Sequence, residues 1–252
     1  MPTNYDEIAD QYKRSKQFAW RYYIEQYSLR ELLGDVSAAS VLDLACGDGH
    51  YTRMFKNMGA SRVVGVDISP KMIELARAAE KRELLGVSYL VGDASSIHFT
   101  QCFDVVCAAY LLNYARSEEE LFAMAKAIHR SLNPGGRFVA VNNNPNQQPH
   151  NFGNTRKYGF VKETGGELRN GLAIHYRFFQ DDEEFVVENY HLDAATHVSV
   201  FRDIGFSDVR WRDPLLAPSE YGAHVEDWAD FLRDPPIALL TCIKRESPDT
   251  QP

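Results

Sequence analysis

The sequence predicts an α/β fold in which a mostly parallel sheet is covered by helices on both faces. Short apolar, β-branched runs alternate with longer segments whose apolar residues recur at helical spacing. The chain has 252 residues and is 44% apolar, which is enough for one full core. Such an alternation is the pattern of a doubly wound sheet, and it requires no second domain.

The first strand and the turn after it are the most informative segment. Residues 40–44, Ser-Val-Leu-Asp-Leu, suit a parallel strand that is buried on both faces. Gly47 and Gly49 follow, and residues 51–58 are predicted to form a helix. Glycines let backbone amides approach a ligand closely, and a helix N-terminus favours a carboxylate or a phosphate. The segment therefore predicts a ligand-binding turn.

Acidic residues indicate which ligand fits this turn. The second predicted strand, residues 62–66, ends at Asp67, and a carboxylate about 20 residues beyond a glycine turn can hold ribose hydroxyls. Asp43 and Asp48 would repel a pyrophosphate and attract the amino group of a methionine moiety. Thr52 occupies the third glycine position of the dinucleotide-binding pattern. These residues favour S-adenosylmethionine over a nicotinamide or flavin cofactor.

The alternation of strand and helix continues through the fifth strand. Residues 88–91 and 103–109 are predicted strands, and residues 118–132 form an amphipathic helix. The sequence Asn-Pro-Gly-Gly at 133–136 ends that helix before a fifth strand at residues 137–141.

The second half of the chain departs from this pattern. Residues 142–154 are rich in Asn, Gln and Pro and are predicted to be a loop, at the sheet edge where open α/β sheets bind ligands. Three β-like runs then predict an antiparallel addition over the substrate side; they cover residues 157–163, 172–180 and 184–192, with turns at 165–171 and 181–182. A helix at 194–204 and strands at 208–212 and 238–244 are expected to close the fold.

Composition excludes several classes of protein. The net charge is −8 and there is no lysine or arginine run, so the chain lacks the basic surface of a nucleic-acid binder. The four cysteines are scattered, which favours packed, reduced thiols over disulfides or a metal site. Neither a signal peptide nor a membrane span is evident. We expect a cytoplasmic monomer or homodimer that uses no metal and binds a small molecule.

Three motifs resemble class I S-adenosylmethionine-dependent methyltransferases. They are the run from Val41 to Gly49, the Leu-x-Pro-Gly-Gly sequence that starts at Leu132, and the N-terminal pattern Tyr5-x-x-x-Ala9-x-x-Tyr12. The resemblance covers roughly residues 1–145 and the closing hairpin. It implies a Rossmann-like, mostly parallel seven-stranded sheet with an antiparallel β insertion after strand five. The single domain, 1–252, would comprise a helical lid (1–36), a cofactor-binding core (37–145), the insertion (146–195) and a closing helix and strands (196–246).

The resemblance also implies roles for single residues. Gly47 and Gly49 would bind the methionine part of the cofactor, Asp67 the ribose, and Asp93 the adenine amino group. The other implied cofactor-binding residues are Tyr12 of the lid, Ile68 and Met72 beside the adenine, Ala94 through its amide and Ala109 through its carbonyl. Alternatively, Asp67 could interact with a helix dipole and Asp93 could be an ordinary turn residue. Carboxylates at three successive strand ends favour the ligand.

The N-terminal tyrosines have two interpretations. In small-molecule methyltransferases such a segment closes over the cofactor, excluding water and offering an aromatic face to the sulfonium. Alternatively, the segment is an amphipathic helix whose aromatic side chains cover the core. The residues concerned are Tyr12, Phe18, Trp20, Tyr23 and Tyr27.

No catalytic base can be assigned from the sequence. Tyr5, Asn113, Tyr114, Asn142 and Asn144, together with Asn143, are the candidates for orienting the substrate. Amides cannot act as bases, but they can orient a polar heterocycle or a carbonyl group. His150, His175 and His191 could supply a base or could be structural.

These patterns are most similar to the toxoflavin-synthase type, azapteridine N-methyltransferases within the UbiE-like small-molecule group. This similarity implies N-methylation of a flat polar heterocycle in the biosynthesis of an antibiotic or toxin, with S-adenosylhomocysteine as the second product. The alternatives are O- or C-methylation of another small metabolite and a non-catalytic protein that binds S-adenosylmethionine. Thr52 and Asp43 disfavour a nucleotide-dependent oxidoreductase.

Overall fold

The computed structural model describes residues 5–180, 183–222 and 224–246. The chain begins with a helical segment, in which a π-helical turn lies between two α-helices. Its elements are α1 (Tyr5–Ser15), the π-helical turn Arg21–Gln26 and α2 (Tyr27–Leu33).

Alternating strands and helices follow. They are β1 (Ser40–Leu44), α3 (His50–Asn57), β2 (Arg62–Asp67), α4 (Pro70–Glu83), β3 (Ser88–Val91), β4 (Phe103–Ala109), α5 (Glu118–Ser131) and β5 (Leu132–Asn143). The closing elements are α6 (Ala194–Ile204), β9 (Phe206–Arg212), α7 (Ala229–Arg233) and β10 (Ile237–Lys244).

The main sheet has seven strands in the order β3-β2-β1-β4-β5-β10-β9. The first five strands pair in parallel, and β10 lies antiparallel between β5 and β9. This arrangement confirms the predicted doubly wound, mostly parallel sheet. The strand order reverses between β1 and β4, and a crevice at the carboxyl ends of two such strands is where open α/β sheets bind ligands.

The insertion after strand five forms a separate antiparallel sheet in the order β6-β7-β8. Its strands are β6 (Phe160–Thr164), β7 (Ala173–Gln180) and β8 (Glu183–Tyr190), so the predicted addition is confirmed. The turn predicted at residues 181–182 lies outside the described residues.

Two predicted boundaries around the fifth strand are wrong. Asn142 and Asn143 were expected in a loop, but they end β5 and pair with Ala238 and Ile237 of β10. The partner strand gives their backbone groups hydrogen bonds, which outweighs the low strand propensity of asparagine. The same strand begins at Leu132, which pairs with Phe103, and not at Arg137.

The core consists of two apolar layers, one on each face of the main sheet. Alternate strand residues enter different layers, as Val41 and Leu42 of β1 do. The layer that includes Val41 also contains Trp20, whose ring centroid lies 5.1 Å from that of Phe160. The N-terminal segment and the three-stranded sheet therefore pack on the same face of the main sheet.

Two further observations concern cysteines and membranes. Within the described ranges all four cysteines are free, and Cys46, Cys107 and Cys242 are buried. No described helix has the length and apolar character needed to cross a membrane.

Candidate active site

Unusual backbone geometry marks the carboxyl ends of β1 and β4. Ala45 (φ 57°) and Tyr110 (φ 67°), the first residues after these two strands, are both left-handed without being glycine. Such conformations are unfavourable for residues with a side chain, and they cluster at functional sites. Both residues lie where the strand order reverses. The backbone conformation and the sheet topology therefore indicate the same candidate site.

The two glycines of the predicted turn have different roles. Gly47 (φ 55°) donates its N–H to Oδ2 of Asp67 at 2.8 Å, and an added Cβ would meet no atom within 4 Å. Gly49 (φ 78°) lies against Tyr89, whose ring an added Cβ would overlap. Gly47 therefore leaves open surface for a ligand, whereas Gly49 permits the packing that supports the turn.

Asp67 joins the end of β2 to this turn. The carboxylate is 9% exposed and accepts hydrogen bonds from Gly47 N at 2.8 Å and Ser69 N at 2.9 Å. Its burial raises the pKa above the ordinary value. The N-cap of α4 is Ser69, whose Oγ accepts from Met72 N. Since each carboxylate oxygen can accept a further hydrogen bond, Asp67 can also hold ribose hydroxyls.

Asp43 and Thr52 form a second buried contact beneath the turn. Thr52 Oγ1 donates to Oδ2 of Asp43 at 2.6 Å, and both side chains are buried. Burial raises the pKa of Asp43 to about 7. Thr52, which replaces the third glycine of the dinucleotide pattern, thus contributes a hydrogen bond of its own.

The residues predicted to contact adenine differ in how far their side chains are exposed to solvent. Met72 and Ala94 are buried, whereas Ile68 is 65% exposed. Asp93 is exposed and its Oδ1 accepts from both N and Oγ of Ser95 at 2.8 Å, as in a turn. Ala109 ends β4, one residue before Tyr110. The roles of these residues toward a cofactor stay predictions.

A buried ion pair that the sequence reasoning missed lies beside the turn. Glu25 accepts from Arg21 Nη1 at 2.8 Å and from the hydroxyls of Tyr51 and Tyr110. Burial alone would raise the pKa of Glu25, but Arg21, Lys16 and the two hydroxyls hold it below its ordinary value. The side chain of Glu25 is therefore ionised. The i, i+4 spacing of Arg21 and Glu25 was the available sequence signal.

Helix α1 contacts the N-terminus of α4 and leads into Lys16. Asp6 accepts a hydrogen bond from Ser69 Oγ at the N-terminus of α4. After α1, Lys16 Nζ lies 4.9 Å from the ring centroid of Tyr12, 5.4 Å from that of Tyr51 and 5.9 Å from that of Tyr110. The side chain of Tyr5 lies outside the described part of the chain.

The predicted substrate-orienting residues divide between two cavities. The first is called the acceptor cavity, after the role that we propose for it below. It encloses about 20 Å³ and is lined by Tyr12, Trp20, Arg21, Tyr110, Tyr114, Tyr176, Phe178, Val187 and Asn189. The second encloses about 10 Å³, and its lining includes Asn113, Asn142, Asn143, Asn144, His191 and His197. The sequence could not predict this separation because it depends on how the three-stranded sheet docks.

Asn143 connects the two cavities. Its Oδ1 accepts from the hydroxyl of Tyr176, and its Nδ2 donates to Oδ1 of Asn189 at 3.5 Å. Asn113 Oδ1 accepts from Asn143 N at 3.1 Å. By contrast, Asn144 donates to Pro235 O at 2.8 Å and shapes the following turn.

The histidine candidates lie away from the acceptor cavity. His191 lines the second cavity, and His150 lies in a short 3₁₀ turn. The side chain of His175 is 42% exposed and lies 3.4 Å from Glu188. The described residues that line the acceptor cavity include no histidine.

Fold and site together define an α/β protein with a cofactor site at the carboxyl edge of its sheet. A family model described as a methyltransferase domain matches residues 41–136. The demethylmenaquinone methyltransferase of Lactococcus lactis is 36% identical over 185 residues, 71% of this chain and 70% of the relative. The ubiquinone/menaquinone biosynthesis C-methyltransferase UbiE of Desulfotalea psychrophila is 28% identical over 73% of this chain and 72% of its own.

Solved structures show the same fold. An S-adenosylmethionine-dependent methyltransferase from Mesorhizobium loti superposes with a TM-score of 0.64 at 22% identity, covering 87% of this chain and 97% of its own. One from Listeria monocytogenes gives 0.62 at 24% identity, covering 88% and 97%. The chain belongs to the S-adenosylmethionine-dependent methyltransferases, and S-adenosylmethionine is its cofactor.

Replacing Asp67 by alanine tests the predicted ribose contact. The loss of charge-assisted hydrogen bonds should weaken S-adenosylhomocysteine binding by about 1–3 kcal/mol, as measured by calorimetry. Asp35→Ala is the matched control, because Asp35 also accepts from a backbone amide two residues on but precedes β1 at the opposite edge of the sheet. Wild-type affinity in a folded Asp67→Ala variant would remove the ribose assignment.

Proposed function

We propose that the enzyme transfers the methyl group of S-adenosylmethionine to a ring nitrogen of a flat, polar heterocyclic small molecule. The observation that carries the proposal is the acceptor cavity, whose walls are aromatic rings and whose polar groups include Arg21 and Asn189. Aromatic faces stack on flat rings, and a few placed polar groups fix the orientation of the ligand. Tyr110 borders both this cavity and the turn after β4 at the cofactor site.

The chain's contribution to the reaction would be positioning and exclusion of water. The bound cofactor supplies an electrophilic methyl group on a sulfonium. Tyr12, Tyr114 and Phe178 surround the acceptor. Asn189 donates to Glu188 O at 3.0 Å and accepts from Asn143 at 3.5 Å, which leaves one N–H and one lone pair of its amide for the edge of the acceptor. Holding the acceptor nitrogen in line with the methyl group lowers the entropic part of the barrier. A closed cavity also removes the water that would compete for the polar groups.

The described residues that line the acceptor cavity include no histidine and no carboxylate, which favours nitrogen as the acceptor atom. The names of the two curated relatives, a demethylmenaquinone methyltransferase and a C-methyltransferase, suggest a ring carbon instead. Methylation of a ring carbon leaves a proton on that carbon, and a base must remove it. Glu25 is the carboxylate bonded to Arg21 and Tyr110 of the cavity lining. It accepts hydrogen bonds from Arg21 and two tyrosine hydroxyls, and these contacts lower its pKa. A ring nitrogen that carries a lone pair and no hydrogen can attack without such a base; the C–S bond breaks, and the positive charge passes from the sulfonium to the methylated ring.

The N-terminal segment would have to move for the acceptor to enter. At about 20 Å³, the acceptor cavity has room for little more than one water molecule. Tyr12 lies in α1, which packs Ile8 against the core and also contacts the rest of the protein through exposed links such as the 2.5 Å ion pair of Arg14 with Glu183. Exposed ion pairs contribute little stability. These features support a lid formed by α1.

The toxoflavin-synthase interpretation is part of the same proposal. It is supported by the N-terminal tyrosine segment, the antiparallel insertion and the amide at Asn143. An azapteridine with a pyridine-type ring nitrogen, which carries a lone pair and no hydrogen, therefore serves as the test acceptor. Incubation with methyl-labelled S-adenosylmethionine should give a product whose labelled methyl is bonded to nitrogen, identified by NMR. Labelling of a demethylmenaquinol analogue at carbon, with none of the azapteridine, would overturn the proposal.

Asn143 offers a mutational test of the acceptor cavity. Asn143→Ala removes the partner of Tyr176 and Asn189, so both side chains lose their fixed orientation toward the acceptor. We expect kcat/KM for the acceptor to fall about tenfold, with S-adenosylmethionine affinity within error of wild type. Asn144→Ala is the adjacent control and should keep wild-type kinetics. Equal effects of the two variants would assign Asn143 to the turn alone.

A further inference from the structure

Lys16 places a positive charge inside the site where the cofactor's own cation is expected. Its ammonium lies within 6 Å of the ring centroids of Tyr12, Tyr51 and Tyr110. Aromatic faces attract cations at this range. Tyr110 follows β4, and Tyr51 is the second residue of α3, directly after the glycine turn. The three rings therefore form a cation cage at the carboxyl ends of β1 and β4.

Buried carboxylates surround the same point. Glu25, Asp43 and Asp67 are all at most 9% exposed. The Lys16 ammonium acts on each of them, favouring its ionised form. Buried carboxylates need a compensating positive charge nearby. Arg21 is bonded to Glu25, which leaves Lys16 as the described cation that acts on both Asp43 and Asp67.

We propose that Lys16 is a tethered competitor of the cofactor's sulfonium and sets the relative affinity for S-adenosylmethionine and S-adenosylhomocysteine. The proposal rests on the cofactor site assigned above to the glycine turn and Asp67. S-adenosylmethionine carries a sulfonium, an ammonium and a carboxylate, so its net charge is positive. S-adenosylhomocysteine has a neutral thioether and no net charge.

The two ligands therefore place different demands on Lys16. The sulfonium of S-adenosylmethionine repels the Lys16 ammonium, which must leave the cage as the cofactor enters. The thioether of the product does not repel it, so Lys16 can stay over the tyrosine rings and continue to balance the carboxylates. Lys16 thus weakens binding of the methyl donor relative to binding of the product.

The other role open to Lys16 makes a different prediction. If its ammonium bound the methionine carboxylate, which the two ligands share, removing it would weaken both ligands by the same factor. The ratio of the two dissociation constants therefore separates competition from carboxylate binding.

The test is calorimetric titration of Lys16→Met with each ligand. We expect the ratio of the dissociation constant of S-adenosylhomocysteine to that of S-adenosylmethionine to rise about fivefold, the scale of a lost cation–π contact. Lys16→Gln, a second neutral variant, should give the same change. Lys13→Met is the matched control, since Lys13 is exposed near the end of α1, and it should keep the wild-type ratio. An unchanged ratio in both Lys16 variants would overturn the proposal.

Asp67→Ala distinguishes failure of this proposal from failure of the site. If Asp67→Ala weakens both ligands while the Lys16 variants keep the wild-type ratio, the cofactor site stands and only the role of Lys16 is wrong. If Asp67→Ala leaves both affinities unchanged, the site assignment fails and the proposal for Lys16 fails with it.

Discussion

The carboxylate of Glu25 joins the parts of the chain that form the candidate active site. It lies fully buried in the π-helical turn Arg21–Gln26 and accepts hydrogen bonds from Tyr51 at the start of α3 and Tyr110 after β4. Arg21 balances its charge from one turn earlier. Separating a buried charge from its partners is costly in free energy. This network therefore holds the N-terminal segment against the glycine turn and the loop after β4.

This network divides the N-terminal segment into two parts. From Trp20 onward the segment belongs to the core, since Trp20 and Ile24 are buried and the Trp20 ring packs against Phe160 and Phe231. The preceding helix, α1, is less buried: Ile8 and Tyr12 pack against the core while only partly buried, and Asp6 and Arg14 add polar contacts. The core-covering interpretation therefore applies from Trp20 onward, and the lid role of α1 and Tyr12 stays a proposal.

Local sequence patterns correctly predicted those strands whose bounds are set by their own residues. β1, β3 and β4 have the predicted bounds because their apolar runs are bordered by turn residues and enter the sheet directly. Asn142 and Asn143 were placed in a loop because composition does not reveal that β10 pairs with them. Glu25 was missed because its partners Tyr51 and Tyr110 are distant in sequence. The proposed cofactor side of the site follows one motif, whereas the proposed acceptor side depends on tertiary docking.

The stability of Glu25→Gln tests the central role of this carboxylate most directly. Removing the charge leaves Arg21 buried without its counter-ion, so the free energy of unfolding in urea should fall by about 3–5 kcal/mol. The double variant Arg21→Met/Glu25→Gln removes both charges and should recover most of that loss. Wild-type stability of Glu25→Gln, or a further loss in the double variant, would contradict the account.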